Sequence, residues 1–239
     1  MSRPAAFASE RGVALVTGAA GGLGQAIVQS LAAEGYRVVG VDLQPVEAPE
    51  LVASYVCDLT DFAAVRAMLD AVIAEVGVPA VLVNNAAYYR SASFFDLSME
   101  QVARTLAVNV AAPLYLCQQV GLAMRDNGGG TIVNVASIAG RRGSSQVDYG
   151  ASKAAVINLT TTLARVLAPF NIRINAVAPA LVDAGMGPNI DPRARQAFLE
   201  QTPLKRAARA HEVADVITFL AGSRSTYVTG ETIDIHGGL

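Results

Sequence analysis

Tryptophan is absent from this 239-residue chain, and histidine, cysteine and charge are all scarce. Each shortage removes a class of function. The two histidines, His211 and His236, share no ligand-like spacing, whereas real metal sites cluster their ligands. No metal is expected; His211 reads as part of a helix start and His236 as part of a C-terminal turn. The two cysteines, Cys57 and Cys117, lie within apolar segments, which fits reduced thiols in a cytoplasmic protein better than a bridge between them. Charged residues make up 16% of the chain and leave a formal net charge of −2 without any basic run. Neither nucleic acid nor an acidic membrane surface is therefore an expected partner. No stretch reads as long and apolar enough to cross a bilayer. Residues 1–12 are short and polar, without the apolar region of a secretory signal, and read as a lead-in to the first strand.

What the chain has in abundance is apolar residues, 52% of the total, enough to bury a large core in a single domain spanning 1–239. Short β-branched runs alternate with longer helical stretches, the sign of βαβ units and a parallel α/β sheet. Strands are expected at 13–16, 37–41, 54–56, 81–83, 131–135, 173–177 and 232–235. Several are apolar almost throughout, as strands covered by helices on both faces must be. Helical patterns fall at 22–34, 61–76, 98–125, 149–168 and 212–221, and Pro169 would stop the fourth. The longest irregular piece, about 179–206, carries one short helical pattern near 193–201. A loop of that length in a compact domain is a lid or a disordered segment, and here it reads as a mobile substrate loop.

The first strand runs into Thr17-Gly18-Ala19-Ala20-Gly21-Gly22-Leu23-Gly24 and then an amphipathic helix. Glycines there allow a tight turn and close backbone approach to a pyrophosphate, which a helix N-terminus then stabilises. The second strand ends in Asp42, followed by Leu43, where a carboxylate would accept hydrogen bonds from an adenosine ribose. A plain strand-end turn residue would look the same in isolation. A carboxylate repels a 2′-phosphate, and nothing basic stands in the glycine turn or directly after Asp42. NAD is therefore expected rather than NADP.

Tyr149 and Lys153 are four residues apart, one helical turn, so both project from one face. A phenol beside an ammonium makes a proton donor and acceptor, since a nearby cation favours the phenolate. Ser137, upstream, adds a hydroxyl for the same substrate atom. A boundary tyrosine and a solvated lysine would give the same pair by chance; the rest of the chain argues against that.

Asp58-Leu59 follows the third strand, Asn84-Asn85-Ala86-Ala87 follows the fourth, and Asn109 lies within the long third helical stretch. With Thr17, Gly18, Gly22 and Gly24, and with Ser137, Tyr149 and Lys153, these resemble the motifs of the short-chain dehydrogenase/reductase family over nearly the whole chain. The resemblance implies a Rossmann-type, doubly wound parallel sheet of about seven strands with helices on both faces. It implies an NAD(P)-linked interconversion of a secondary alcohol and a ketone, commonly in a homotetramer or homodimer. Asn109, Ser137, Tyr149 and Lys153 would be its catalytic set, with Tyr149 as general acid and base. Lys153 would lower the phenol's pKa and hold the nicotinamide ribose, and Asn109 would anchor a water leading to solvent. The cofactor would be held by Gly18, Gly22, Leu23 and Gly24 in the turn, and by Asp42 and Leu43 after the second strand. Asp58 and Leu59 would add contacts at the adenine, Asn85, Ala86 and Ala87 at the centre, and Pro179 and Val182 near the nicotinamide. Each polar residue also has a plainer reading: Asn84 and Asn85 as strand-end caps, Asp58 as a helix N-cap, Asn109 as a helix residue satisfied by backbone.

The chain departs from the family pattern at Ala87, Ala180 and Ala184, the last standing where a threonine hydroxyl is expected. Substrate identity stays open. Residues 88–93, 139–145 and the 179–206 loop are candidate pocket walls, with Tyr88 and Tyr89 at the entrance or simply on the surface. Arg141-Arg142 reads as an attractor for an anionic or carrier-borne substrate or as a solvated loop. Besides the alcohol–ketone reading, a 3-oxoacyl-thioester reductase using NADPH and a non-catalytic nucleotide-sensing regulator remain alternatives.

Overall fold

The structure is a computed structural model describing residues 11–185 and 191–239. The β-branched runs form seven strands: β1 Val13–Thr17, β2 Arg37–Asp42, β3 Leu51–Val56, β4 Pro79–Asn84, β5 Gly130–Val135, β6 Ile172–Pro179 and β7 Thr232–Ile235. All pair in parallel in the order β3-β2-β1-β4-β5-β6-β7. From β1 the chain winds outward to β3, returns to β4 beside β1, and winds outward the other way. The reversal between β1 and β4 leaves a crevice at the strands' carboxyl ends, where such sheets bind ligands.

Strand side chains alternate between faces, and both faces are apolar. Val13 and Leu15 of β1 join a core with α2 (Phe62–Glu75), α4 (Ala112–Asp126) and α6 (Val147–Leu167). Ala14 and Val16 point the other way, against α1 (Gly22–Ala33) and α8 (Ala210–Ala221). β3 is longer than its sequence signal because it is an edge strand, with half-buried and exposed residues alternating.

The helical stretch expected at 98–125 is built from α3 (Met99–Leu106), a π-helical turn (Ala107–Ala111) and α4. Counted together these span the 28 residues Met99–Asp126, which contain an 18-residue window of mean hydropathy 1.3, long and apolar enough to cross a membrane. By length and composition this corrects the expectation that no stretch qualifies. Its apolarity has another use here, since Leu116, Cys117, Val120 and Met124 are buried in the sheet's core. Both cysteines are free and buried. Sequence reading also missed α5, a single turn at Ala139–Arg142, which carries no periodicity of its own. The helix in the long loop is α7 (Pro192–Gln201), N-capped by Asp191, whose carboxylate accepts from Arg193 N and Ala194 N at 3.0 Å each. Residues 186–190 of that loop, and residues 1–10 of the lead-in, lie outside the described residues.

Candidate active site

The glycine turn after β1 is locked in place by the segment after β4. Asn85 Nδ2 donates to the carbonyls of Thr17 and Gly18, each at 3.0 Å. Asn85 N and Ala86 N donate to Thr17 Oγ1, each at 3.1 Å. Gly18 has φ +67° and lies so close to Ala86 that an added Cβ would sit 2.8 Å from Ala86 Cα. A Cβ on Gly24 would run into the Gly18 carbonyl. Side chains are thus excluded where a pyrophosphate would approach the backbone. Asp42, at the tip of β2, accepts from Ala20 N at 3.0 Å and Gln44 N at 3.3 Å, so its carboxylate stands beside the turn. Asn84 serves the fold instead, donating to Asn134 Oδ1 (2.9 Å), whose Nδ2 donates to Thr160 Oγ1 (3.0 Å).

A pocket of about 620 Å³ opens at this crevice. Of the cofactor residues read from sequence, Gly18, Leu23, Gly24, Asp42, Asn85, Ala86, Ala87, Pro179 and Val182 line it, together with Ser137, Tyr149 and Lys153. Five expected site residues do not. Gly22 backs onto Ala184, Leu59 is buried in the core, and Leu43 is half-exposed beyond Asp42. Asp58 is engaged by Thr60 N (2.9 Å) and Thr60 Oγ1 (2.7 Å), which hold its carboxyl below the usual range. Asp58 is not a helix cap, because Asp61 caps α2. Asn109 is buried behind the pocket.

Ser137 follows β5; its Oγ accepts from Ala139 N at 3.2 Å and donates to Pro179 O at 3.4 Å. Tyr149 and Lys153 share the α6 face toward it. Lys153 is buried, and its Nζ donates to Val135 O at 2.7 Å while lying 5.6 Å from the Tyr149 ring centre. Burial pulls the Lys153 ammonium down to about 8. Burial pushes the Tyr149 phenol up to about 12, with the Ser137 hydroxyl opposing and Tyr89 adding to the rise. The expectation that Lys153 lowers the phenol is not met in this structure, where burial dominates the shift and Lys153 is not among its causes.

Asn109 sits in the π turn, where the regular helical hydrogen-bond ladder is interrupted. Its Oδ1 accepts from Tyr88 N (2.7 Å), and its Nδ2 donates to Tyr88 O and to Ser152 Oγ, both at 3.0 Å. Ser152 Oγ in turn donates to Tyr149 O at 2.8 Å, so Asn109 braces α6. Sequence reading missed Ser152, which no motif marks. The 179–206 loop, expected as a pocket wall, supplies one through Asp191 and the α7 face of Ala194, Arg195 and Phe198, residues not singled out from the sequence. The i, i+3, i+4, i+7 spacing of those four residues was the available signal.

A family model described as enoyl-(acyl carrier protein) reductase matches residues 18–239. The chain is a short-chain dehydrogenase/reductase. It is 38% identical to a 3-oxoacyl-(acyl-carrier-protein) reductase of Thermotoga maritima, over 95% of this chain and 97% of that protein. It is 37% identical to a D-threitol dehydrogenase of Mycolicibacterium smegmatis, over 95% and 92% respectively. An NAD+-bound xylitol dehydrogenase superposes with a TM-score of 0.88 at 34% identity, covering 95% of this chain and 98% of that one. Membership makes the protein an oxidoreductase that binds a nicotinamide cofactor.

One of this dehydrogenase/reductase's departures from pattern acquires a physical context. Ala184 rests against the glycine turn, 3.1 Å from where a Gly22 Cβ would be. Val182 forms a parallel bridge with Ala208 in which Leu181 O and Asp183 N make the hydrogen bonds. The backbone N–H and C=O of Val182 are thereby directed away from that bridge. Arg141 is not a free cation for substrates: it pairs with Asp234 at 2.7 Å and donates to Thr232 O at 2.8 Å. Tyr89 enters the pocket, whereas the Tyr88 ring lies against Arg104, 5.5 Å away. Among the described residues no group of His, Cys, Asp and Glu gathers as a metal-ligand set.

Proposed function

We propose that the chain is an NAD-dependent oxidoreductase interconverting a secondary alcohol and a ketone, with Tyr149 as general acid and base. The observation that carries this reading is the convergence of Ser137, Tyr149 and Lys153 on the pocket that also contains the glycine turn and Asp42. The residues present suit a dinucleotide, since Cβ atoms are excluded at Gly18 and Gly24 and Asp42 stands at the turn. Asp42 favours NAD by repelling a 2′-phosphate. Leu43, Asp58 and Leu59 belong to the adenine end of this reading, outside the pocket itself.

The nicotinamide supplies or accepts the hydride. Tyr149 gives its proton to a ketone oxygen, or takes one from an alcohol. Ser137 donates to the same oxygen and stabilises its developing charge. Lys153, fixed by Val135 O against the Tyr149 ring, offsets the negative charge left when the phenol releases its proton. Asn109 supports that helix through Ser152. The backbone of Val182 suits the nicotinamide carboxamide.

A 3-oxoacyl-thioester reductase is the second reading, favoured by the 38% identity to the Thermotoga maritima enzyme. The polyol dehydrogenases among the relatives favour the first. Exposed Leu106, Leu114, Leu122 and Val166 on the long helices suit a homotetramer or homodimer, and the two free thiols suit a cytoplasmic enzyme. A panel of secondary alcohols, ketones and a 3-oxoacyl thioester, assayed with NAD(H) and NADP(H) at the nicotinamide absorbance, tests the assignment. Turnover of alcohols with NAD is expected; inactivity across the panel would sink it.

A further inference from the structure

Residues 88–92 form one wall of the pocket, and alternate residues along it are held from behind by side-chain amides. Asn109 takes both backbone groups of Tyr88. Gln101 Nε2 donates to Arg90 O at 2.9 Å, and Gln146 Oε1 accepts from Ala92 N at 3.0 Å. Between these fastenings, Ala87, Tyr89 and Ser91 line the pocket. The fastenings are tied to the catalytic helix: Gln101 Nε2 also donates to buried Asp148 (3.3 Å), which accepts from Thr105 Oγ1 (2.7 Å). The wall and Tyr149 are therefore parts of one rigid unit, with the Tyr89 ring edge-on to Tyr149 at 5.3 Å between centres.

Gln146 is the N-cap residue of α6, three residues and about 4.5 Å of helix rise before Tyr149. Its Nε2 donates to Ser91 Oγ at 3.3 Å, and both residues line the pocket. That contact uses one of two amide protons and none of the serine's own donor capacity. Among the described residues neither the second amide proton nor the Ser91 hydroxyl proton has a partner. Ser91 is exposed and Gln146 half-buried, so water serves these two donors until a ligand oxygen, one helical turn from the reacting phenol, takes its place.

We propose that Ser91 and Gln146 form a subsite for a second substrate oxygen, on a carbon adjacent to the reacting one or one further along. The proposal rests on the alcohol–ketone chemistry assigned to Tyr149. A polyol hydroxyl and the thioester carbonyl of a 3-oxoacyl substrate both present such an oxygen. The apolar remainder of the wall, Ala87 and the Tyr89 ring, covers the carbon skeleton between the two oxygens.

The test compares 2-butanol with 2,3-butanediol, oxidised with NAD+, and adds acetoacetyl-coenzyme A reduced with NADH. Wild type is expected to favour the diol over the mono-ol in kcat/KM by roughly tenfold, the worth of one good hydrogen bond. Preference for acetoacetyl-coenzyme A over a simple ketone, 2-butanone, identifies the carbonyl as the source instead. Ser91→Ala and Gln146→Leu should each collapse the preference. Gln146→Glu still accepts from Ala92 N and from a substrate hydroxyl, so it should restore the diol preference but not the thioester one. NADH fluorescence titration of each variant shows that it remains folded around the cofactor. Wild-type ratios near one for both the diol and the thioester comparison, or ratios unmoved in Ser91→Ala and Gln146→Leu, overturn the subsite while leaving the oxidoreductase standing. Failure to turn over any of the four probes, in a protein that binds NADH, overturns the subsite and the alcohol–ketone reading together.

Discussion

Lys153 places its ammonium 5.6 Å from the centre of the Tyr149 ring while donating to the carbonyl of Val135 at 2.7 Å. One bond fixes the lysine to the end of β5, and the helical spacing then fixes the phenol beside it. The two groups are pushed toward neutrality from opposite sides, Lys153 down to about 8 and Tyr149 up to about 12, both by burial. The phenol stays neutral while the lysine keeps its proton up to about pH 8, so either member can change charge when a proton moves between substrate and phenol.

Replacing Tyr149 with Phe should leave NADH binding within about threefold of wild type, since the ring and its Tyr89 contact persist. Turnover should fall by a factor on the order of 10³, the scale of a general acid–base contribution. Fluorescence titration and steady-state rates together check it. Normal turnover in this variant would mean that another group handles the proton.

Lys153 also predicts a pH dependence of stability. Its folded pKa of about 8 lies below the ordinary 10.5. Between those values the unfolded chain binds the extra proton, so raising the pH stabilises the folded state. Its penalty is fully present below about pH 8 and fades as the pH approaches 10.5. Wild type measured against Lys153→Met by urea denaturation should therefore gain on the order of 3 kcal/mol between pH 7 and pH 10.5. A difference independent of pH would contradict the lowered lysine. The comparison cancels other groups that titrate in the same range.

Much of the fold was legible because both faces of the sheet are apolar and the strand runs are punctuated by glycine turns. Tyr149, Lys153, Ser137 and Asp42 were legible because each sits at a fixed offset from a strand end or on one helix turn. The π turn at Asn109 was not, since nothing in Ala107–Ala111 departs from helical composition. Nor was the desolvation of Lys153, which depends on Val135 and the packing of α5 against α6 rather than on its neighbours in sequence. Gly140 on α5 shows how close that packing is: an added Cβ would lie 2.5 Å from Lys153 C. Gln101 and Gln146 carried no motif, and their roles exist only once the segment after β4 has folded back across α6.

Asp42 should set the cofactor preference through its charge. NADH should bind more tightly than NADPH by at least about tenfold, or roughly 1.4 kcal/mol. Asp42→Asn retains an acceptor for Ala20 N and removes the charge, so it should tighten NADPH several-fold while moving NADH little. Affinities for both cofactors in both proteins decide it. An unchanged NADPH affinity would assign the preference to shape instead.

Ala184 offers the sharpest check on the loop after β6, because it rests against Gly22 where the family pattern has a hydroxyl. If that hydroxyl is a missing cofactor contact, Ala184→Thr should tighten NADH about fivefold, close to the ~1 kcal/mol of a typical net hydrogen bond. Ala184→Val adds the same bulk without the hydroxyl. It should leave the affinity unchanged or weaken it, since it adds bulk without a hydrogen-bond donor. Equal tightening by Thr and Val would show that the gain comes from packing the loop onto the turn. Weakening by both would show that the alanine is required by the closeness of Gly22.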